Sequence, residues 1–191
     1  MRKGKAKSVY IVGPPCSGKS TLASDVHTKL KKEGYNSVFV SEAATDYIAE
    51  YGIPDAPYDQ IVIFYKQLNR EKMFMDTKDF IICDSSTILN YFYFRRLFSH
   101  VLSQKDIAAI NHMQKEILKN SQHWTHVFFV PPIDAEAEDG IRFHKKEEIE
   151  TLGQLIKAYL EIENIPYVDL SEVPINERGD FITKKILNKE D

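Results

Sequence analysis

The sequence has few cysteines and no long apolar run. Cys16 and Cys83 are the only two cysteines among its 191 residues, which is too few for a disulfide framework, so we expect a reducing cytoplasm. No apolar stretch approaches the roughly 20 residues that a membrane-spanning helix needs. The basic N-terminus is followed by a short apolar run, which is not the pattern of a secretory signal. We therefore predict a cytoplasmic protein without a membrane partner.

An excess of basic residues is also missing. The net charge is −3 at pH 7, whereas nucleic-acid-binding domains are typically basic. A local basic cleft could still hold nucleic acid, but the overall charge does not indicate it. The basic residues near the start predict a flexible, solvated terminus over residues 1–7. The length fits one domain over 1–191 with a single core, and the sequence carries no signal for an oligomeric state.

Apolar runs alternate with stretches of helical periodicity along the chain. The predicted strands are 8–12, 37–41, 80–83, 127–130 and 166–170, and the predicted helices are 21–32, 43–51, 58–77, 86–99, 104–120, a stretch ending near 163, and 176–188. Because the strands are apolar throughout, we predict an α/β fold whose five-stranded parallel sheet carries helices on both faces. Right-handed crossovers bring the carboxyl ends of the strands to one edge, where ligands bind.

One octapeptide carries most of the functional signal. Residues 13–20 read GPPCSGKS, which matches the phosphate-binding loop G-x-x-x-x-G-K-S between a predicted strand and a predicted helix. Backbone N–H groups of such a loop form an anion cradle with the helix N-terminus. Lys19 can reach the β- and γ-phosphates, and the Ser20 hydroxyl can bind Mg²⁺. The predicted nucleotide-binding residues are Gly13, Pro14, Pro15, Cys16, Ser17, Gly18, Lys19, Ser20 and Thr21.

Two acidic residues follow predicted strands at the same edge. Asp84 ends the third strand, where phosphate-loop enzymes place a carboxylate that supports Mg²⁺, although Asp84 or Ser85 could instead cap the next helix. Glu42 follows the second strand. It could accept a proton from an acceptor hydroxyl, bind that hydroxyl, or complement a helix dipole. These alternatives for Glu42 have equal support from the sequence.

An arginine lies in the polar segment between the fourth strand and the next helix. Arg142 ends the sequence Asp-Gly-Ile-Arg at 139–142, within a predicted lid over about 132–148. An arginine there could fold over the phosphates and stabilise the charge that develops during transfer. Its position alone, however, favours an exposed turn.

The densest aromatic patch is Asn-Tyr-Phe-Tyr-Phe-Arg-Arg at 90–96. Four consecutive aromatic residues on a helix cannot all face one side, so some must pack in the core, while others could stack on a heterocycle. We expect core or interface packing for these rings. For Arg95 and Arg96 we expect a solvated surface instead of a phosphate contact.

In this order, the motifs resemble a known group. The residues on which the resemblance rests are Gly13 to Ser20, Glu42, Tyr47, Gln67, Asp84, Ser85, Asp139 to Arg142, and the helix-to-strand stretch from Ile156 to Asp169. Together they resemble the nicotinamide riboside kinase-like domain of the bacterial bifunctional NAD-biosynthesis regulator, within a broader family of small P-loop kinase-like ATPases. The resemblance covers about residues 8–187. It implies a P-loop NTPase of the nucleoside- or nucleotide-kinase type.

The resemblance implies a reaction and its cofactors. ATP would phosphorylate a hydroxyl of a small nucleoside-like acceptor, with nicotinamide riboside as the first expectation and Mg²⁺ as the metal. Lys19 and Ser20 would contact the phosphates and the metal, Asp84 would support Mg²⁺, and Arg142 would belong to a mobile lid. Thr45 stands where members of the group commonly carry arginine, which puts the acceptor in question. We expect no attached adenylyltransferase domain.

Other functions remain as alternatives. The acceptor could be a nucleotide or a modified base in DNA, or the protein could be an ATP-dependent switch read by a partner protein. A GTPase is not expected, because the N-K-x-D match at 188–191 follows a predicted helix instead of a strand and the chain has no D-x-x-G after the phosphate loop. An AAA-type motor is not expected either, because the chain has no room for an extra helical domain.

Overall fold

The computed structural model describes residues 5–98, 100, 102–121, 124–133 and 146–188. Within these residues, five strands alternate with seven helices. The strands are β1 (Lys7–Val12), β2 (Ser37–Val40), β3 (Phe80–Asp84), β4 (Trp124–Phe129) and β5 (Val168–Asp169). The helices are α1 (Lys19–Lys32), α2 (Ala43–Tyr51), α3 (Pro57–Met73), α4 (Thr87–Phe98), α5 (Gln104–Ser121), α6 (Lys146–Ile162) and α7 (Arg178–Ile186).

The strands form one sheet in the order β2-β3-β1-β4-β5, and every pair is parallel. Strand β1 lies at the centre, and its side chains alternate between the two faces. Val9 and Ile11 pack with α1 and α7, whereas Tyr10 and Val12 pack with α4 and α6. The predicted fold class, a parallel five-stranded sheet with helices on both faces, is confirmed.

A further apolar cluster lies among the helices. Its buried members come from α3, α4 and α5: Phe64, Leu68, Tyr91, Phe94, Met113 and Ile117. Helix α5 packs on α3 and α4. This second layer of packing holds α3 and α4 against each other, and both helices contribute side chains near the functional edge of the sheet.

The boundaries of several elements differ from the prediction. The predicted flexible segment over residues 1–7 extends too far towards the C-terminus. Lys7 begins β1, and the Ala6 amide donates to the Met75 carbonyl oxygen at 2.7 Å. Of the predicted lid, residues 134–145 lie outside the described residues, and 146–148 belong to α6. Strand β4 starts three residues earlier than predicted, and β5 is reduced to two residues. Helix α3 ends at Met73 instead of residue 77.

The strand register decides which residues meet at the carboxyl edge. Ile11 pairs with Asp84, and Val40 pairs with Cys83. The chain therefore leaves β1, β2 and β3 at nearly the same level, with the phosphate loop between Val12 and α1. Residues that follow these three strands are brought together, although they are distant in sequence.

Candidate functional site

The phosphate loop lies tightly against the start of the segment that follows β4. A Cβ atom on Gly13 would lie 2.3 Å from the Val130 carbonyl oxygen, so only glycine fits there. Gly18 precedes α1 with φ of 80°, in the left-handed region that glycine adopts without strain, and a Cβ there would lie 2.8 Å from Ile133 Cδ1. The two glycines of the motif are therefore both required by the geometry.

Hydrogen bonds within the loop hold its turn closed. Ser17 Oγ donates to the Pro14 carbonyl oxygen at 2.9 Å, and Lys19 Nζ donates to the same oxygen at 2.7 Å. Cys16 adopts φ of 58° at the tip. The first turn of α1 contains no acidic residue, so its N-terminal amides and dipole favour an anion. The loop has the features of a phosphate cradle.

Three predicted charged residues, Lys19, Glu42 and Asp84, meet at this edge. Burial lowers the pKa of Lys19, and the carboxylates of Glu42 and Asp84 act in the opposite direction. Burial raises the pKa of Asp84; the Ser20 hydroxyl and Lys19 lower it, while Glu42 raises it further. The structure thus brings together residues from β1–α1, β2–α2 and β3–α4, and their roles stay predictions.

Ser20 and Asp84 are the predicted metal residues, and their arrangement suits Mg²⁺ bound together with a nucleotide. The exposed Ser20 lies close enough to the largely buried Asp84 for its hydroxyl to lower the pKa of the Asp84 carboxyl group. In the described ranges, no three His, Cys, Asp or Glu side chains are grouped to hold a metal. Mg²⁺ usually takes one or two carboxylates and completes its shell with phosphate oxygens and water. The pair fits that mode, and it does not fit a metal centre built from protein ligands alone.

Glu42 lies where β2 passes into α2 and is half-buried. Its carboxylate accepts a hydrogen bond from Thr45 Oγ1 at 3.1 Å. Thr45, at the position that the sequence resemblance singled out, therefore binds Glu42. Burial, followed by the charge of Glu42, raises the pKa of Tyr93 on α4. Glu42 is thus flanked by Thr45 and Tyr93. Its three predicted roles, as a base, as a ligand of the acceptor hydroxyl or as a complement to the helix dipole, all stay predictions.

Two residues of α3 with no role predicted from the sequence bind backbone groups at this edge. Glu71 Oε1 accepts from the Thr87 amide at 2.8 Å, and Glu71 Oε2 accepts from Thr87 Oγ1 at 3.1 Å. Gln67 Oε1 accepts from the Ala43 amide at 2.9 Å. The first amide of α4 is therefore bound by a side chain from another helix, and its third amide, that of Leu89, donates to Ser86 Oγ at 3.4 Å.

The sequence nevertheless contains a signal for these two residues. Glu71 and Gln67 share the buried stripe of α3 with Phe64 and Leu68 at helical spacing. A carboxyl group in an apolar stripe must find hydrogen-bond partners. In the sequence, Gln67 was singled out only as one of the residues that support the family resemblance. Glu71 belongs to no sequence motif.

Burial raises the pKa of Glu71 to about 7, against the opposing effect of its hydrogen-bonded neighbours Thr87, Gln67 and Tyr10. Gln67 Nε2 completes no hydrogen bond among the described residues, although Gln67 is close enough to lower the pKa of Glu71. Tyr10 donates to Glu71 Oε2 at 3.5 Å. Glu71 therefore lies in a buried polar group under the edge of the sheet.

The aromatic patch packs in the core, as predicted. Tyr91, Phe92 and Phe94 are buried, and Tyr93 packs against the sheet cluster near Glu42. Arg95 is exposed and pairs with Glu163 at 3.9 Å. Arg96 is also exposed, and its charge opposes the rise in the pKa of Tyr93, so it lies near that ring.

Some predicted features lie outside the described residues. These are Asp139, Gly140, Ile141 and Arg142, together with residues 189–191 of the N-K-x-D match. At the last described residues before position 134, Ile133 contacts the phosphate loop at Gly18, and Pro132 lies beside Gly153 of α6. In the part of the chain that is described, no helix is long and apolar enough to cross a membrane.

Comparisons with solved structures show the same fold in other proteins. No curated protein matches the chain in sequence. A crystal structure of NadR protein in complex with NR has a TM-score of 0.75 at 17% identity and covers 96% of this chain and 51% of its own. The chain thus spans about half the length of that protein.

Deoxyadenosine kinase from M. mycoides, solved with bound dCTP, has a TM-score of 0.60 at 14% identity, over 95% of this chain and 99% of its own. The same kinase with bound dATP matches with the same TM-score at 16% identity. These likenesses confirm the fold resemblance to P-loop kinase-like proteins. The model of the AAA domain family matches residues 8–178, and the chain belongs to that family.

Proposed function

We propose that this protein is an ATP-dependent phosphotransferase that moves the γ-phosphate to a hydroxyl group of a small nucleoside-like acceptor. The observation that carries the proposal is the meeting of Lys19, Ser20 and Asp84 with Glu42 at one edge of the sheet. A phosphate cradle beside a second carboxylate is the arrangement that a phosphoryl transfer needs, because the transfer depends on positioning and charge stabilisation. Nicotinamide riboside is the first acceptor to test, since a fold relative is NadR protein in complex with NR.

The phosphate half of the site comprises the loop, Lys19, Ser20 and Asp84. The loop would hold the phosphates, and Lys19 would turn from Pro14 towards the β- and γ-phosphates. Ser20 and Asp84 would hold Mg²⁺, which, when bound, neutralises charge on the phosphate oxygens. The burial that raises the pKa of Asp84 disfavours its charge, so a nearby cation would stabilise the carboxylate.

The acceptor half comprises Glu42 and the polar groups around it. Glu42 would accept the proton of the attacking hydroxyl or orient that hydroxyl. Ser85 Oγ and Asn90 Oδ1 are buried and have no hydrogen-bond partner among the described residues. Buried polar atoms without partners are rare, so these two are candidates to bind the acceptor. Thr45 would hold Glu42 in place of the arginine of related proteins.

Arg142 would act from a lid over the phosphates. Support comes from the first residues of the predicted lid, because Ile133 lies against Gly18 of the phosphate loop. A segment that starts beside the phosphate loop at Ile133 can fold over that loop. Closure would exclude water and suppress hydrolysis of ATP.

The test is transfer of the γ-phosphate from Mg²⁺-ATP to a panel of acceptors. The panel contains nicotinamide riboside, the common nucleosides and deoxynucleosides, their monophosphates, and DNA with hydroxymethylated bases. We expect ADP formation to rise sharply with one acceptor and the phosphate to appear on it. Phosphorylated monophosphate or DNA would instead identify a nucleotide or base kinase. ATP binding without any response to acceptors would favour a nucleotide-dependent switch.

Two variants locate the chemistry. Lys19→Ala should abolish transfer, because no other described side chain supplies a cation within the loop.

Glu42→Gln keeps the shape of the side chain and removes its basicity, and we expect about a 10²-fold loss of turnover if Glu42 is the base. Thr45→Val removes only the hydroxyl that holds Glu42 and keeps its basicity, so it should lower turnover less than Glu42→Gln does. Transfer by Glu42→Gln at the wild-type rate would remove Glu42 as the base.

A further inference from the structure

Helix α3 contacts the starts of two other helices through side chains one turn apart. Gln67 and Glu71 are separated by four residues, so they lie on the same face of the helix. Gln67 binds the amide of Ala43, the first residue of α2, and Glu71 binds the amide of Thr87, the first residue of α4. Each of these helices starts just after a strand that ends near a site carboxylate, Glu42 or Asp84.

We propose that Gln67 and Glu71 are positioning residues that together set the separation between Glu42 and Asp84. Helix α3 would act as a spacer, with Gln67 fixing the acceptor side of the site and Glu71 fixing the metal side. This inference rests on the proposed function for the roles of the two carboxylates. The hydrogen bonds themselves do not depend on it.

The junction between β3 and α4 needs such support. Ser85 has φ of 73°, in the left-handed region that residues other than glycine adopt at a cost, and such a conformation persists only where its surroundings enforce it. The Ser85 amide donates to the Ile11 carbonyl oxygen at 3.1 Å, which holds the near side of the junction. Glu71 holds the far side through both the amide and the hydroxyl of Thr87. Asp84 therefore lies beside a turn that is held from β1 and from α3.

The junction between β2 and α2 is held in a similar way. Glu42 is the N-cap residue of α2, and within the described structure its side chain caps no amide of that helix. The Ala43 amide is buried and bonds to Gln67 instead. Because Ala43 directly follows Glu42, a movement of Gln67 would shift the Glu42 backbone. The side chain of Glu42 is thus left for Thr45 and for the acceptor.

The two bonds act from one rigid element. Helix α3 packs on α4 through Phe64 and Leu68, and it is tied to α2 by the Tyr47 hydroxyl, which donates to Asp59 Oδ1 at 2.6 Å. Because α3 is held at both places, Gln67 and Glu71 keep a fixed separation, while each binds only its own junction. The separation of Glu42 and Asp84 then depends on the spacing of Gln67 and Glu71 along one helix.

The experiment compares Glu71→Leu, Glu71→Gln and Gln67→Leu in the full chain. The leucine variants remove the acceptor at similar size, whereas Glu71→Gln keeps an oxygen for the Thr87 amide. Leu68→Ala is the matched control, because it loosens the buried face of α3 without touching either amide. Thr87→Val, which removes only the hydroxyl bond, is a milder second variant for the Glu71 side if Glu71→Leu does not fold.

Three readouts separate positioning from a merely structural role. Amide hydrogen exchange at Ala43 and Thr87, measured without nucleotide, reports each junction directly. The Mg²⁺ concentration that half-saturates binding of a fluorescent ATP analogue reports the Asp84 side. The KM of the acceptor and kcat report the Glu42 side.

We expect a separable pattern. Glu71→Leu should speed exchange at Thr87 and raise the half-saturating Mg²⁺ concentration about tenfold, because Thr87 loses both of its hydrogen bonds to the Glu71 carboxyl group. Gln67→Leu should speed exchange at Ala43 and change acceptor KM or kcat, with the Mg²⁺ dependence unchanged. Glu71→Gln should stay close to wild type.

The opposite pattern would overturn the inference. Leu68→Ala with the same shifts in Mg²⁺ dependence and acceptor kinetics would mean that general loosening of α3 is responsible. Unchanged exchange at Thr87 and Ala43 in the leucine variants would remove the two bonds as constraints. A wild-type protein that binds no Mg²⁺-nucleotide would contradict the proposed function instead, and the inference would then be decided by the exchange measurements alone.

Discussion

Single residues show where this fold is least tolerant of change. Gly13 lies against the Val130 carbonyl oxygen, whose position is held by the bond from the Val130 amide to the Val12 carbonyl oxygen at 2.8 Å. Glu71 is a carboxyl group within a packed interior. Both residues have neighbours that are backbone or buried side chains, and such neighbours move little. The two predictions at this scale follow from these contacts.

Gly13→Ala should abolish nucleotide binding and lower the melting temperature. Its Cβ would lie 2.3 Å from a backbone oxygen, so the loop or the start of the segment after β4 must move. Gly153→Ala is the control, because its Cβ would lie 3.4 Å from the nearest atom, an ordinary contact, in the interior of α6. Alanine there should leave binding intact and stabilise the helix by up to about 1 kcal/mol. Titration with a fluorescent ATP analogue measures nucleotide binding by both variants, and thermal unfolding measures their stability. Tight binding by Gly13→Ala would contradict the close contact between Gly13 and the Val130 carbonyl oxygen.

The contribution of Glu71 to the stability of the protein should fall between about pH 4.5 and pH 7. Below this window the group is protonated in both states. Within it the unfolded chain ionises at the ordinary pKa of 4.5, while the folded state keeps the proton up to a pKa of about 7. The unfolded state is therefore favoured as the pH rises, by about 3 kcal/mol over the window. Tyr10 and Cys83, which face Glu71, have raised pKa values and stay neutral there.

Urea unfolding at a series of pH values, for wild type and Glu71→Gln, checks this contribution. The neutral glutamine has no titration, so the difference in unfolding free energy between the two proteins should change with a midpoint in that window. A difference that stays constant from pH 4.5 to pH 7 would show that Glu71 has an ordinary pKa in the folded protein.

At the scale of elements, helices α3 and α4 do more than cover the sheet. They form one face of the candidate site and, with α5, an apolar cluster away from the sheet. Their contact is apolar in the middle and polar at the end, where Glu71 meets Thr87. The apolar part supplies stability, since burying apolar area is the dominant favourable contribution to folding. The polar end supplies orientation, because a hydrogen bond has a direction.

The attachment of α5 should depend on its apolar residues and hardly on its ion pair. Met113 is fully buried between the helices, and Met113→Ala should cost about 2–4 kcal/mol of unfolding free energy. Lys72 of α3 pairs with Glu116 of α5 at 2.8 Å on the surface, and Lys72→Ala should cost about 0–1 kcal/mol. Chemical denaturation of the two variants compares them. A larger loss for Lys72→Ala would reverse the order of the two contributions.

At the scale of the whole molecule, the sheet order puts the phosphate loop between the strands that deliver Asp84 and Val130. Strand β1 pairs with β3 on one side and β4 on the other, and β2 lies beyond β3. The phosphates would therefore lie between a metal side at β3 and a lid side at β4. The acceptor side at β2 is next to the metal side. This order is what allows one edge to serve both substrates in the proposed reaction.

Arg142→Ala tests the lid side of this arrangement. If Arg142 stabilises charge during transfer, the variant should lose about 10³-fold in turnover, with a smaller change in ATP affinity. Arg95→Ala, an exposed arginine of α4 that pairs with Glu163, is the control and should leave turnover unchanged. Steady-state kinetics and ATP binding distinguish the two. Wild-type turnover and affinity in Arg142→Ala would end the lid proposal.

The fold was predictable from the sequence to a large extent, and the candidate site in part. Parallel strands and their helices were recognised, because apolar runs and helical periodicity are local features. Boundaries moved where tertiary hydrogen bonds decided them, as at Ala6 and Met75. The short β5 pairs only at Phe128 and Phe129 of β4, which its apolar sequence could not indicate. The predictions of a cytoplasmic location and against a motor stay predictions.

The sequence by itself determined the phosphate loop, because a contiguous octapeptide carries both the glycines that the turn requires and the lysine that we propose contacts the phosphates. It also determined that residues after β1, β2 and β3 share one edge, since parallel strands leave a sheet in the same direction. Only the tertiary structure decided that Gln67 and Glu71 bind Ala43 and Thr87. These bonds join residues 24 and 16 positions apart. They exist because α3 packs against α4 in one particular register, and that register depends on side-chain shape in three dimensions.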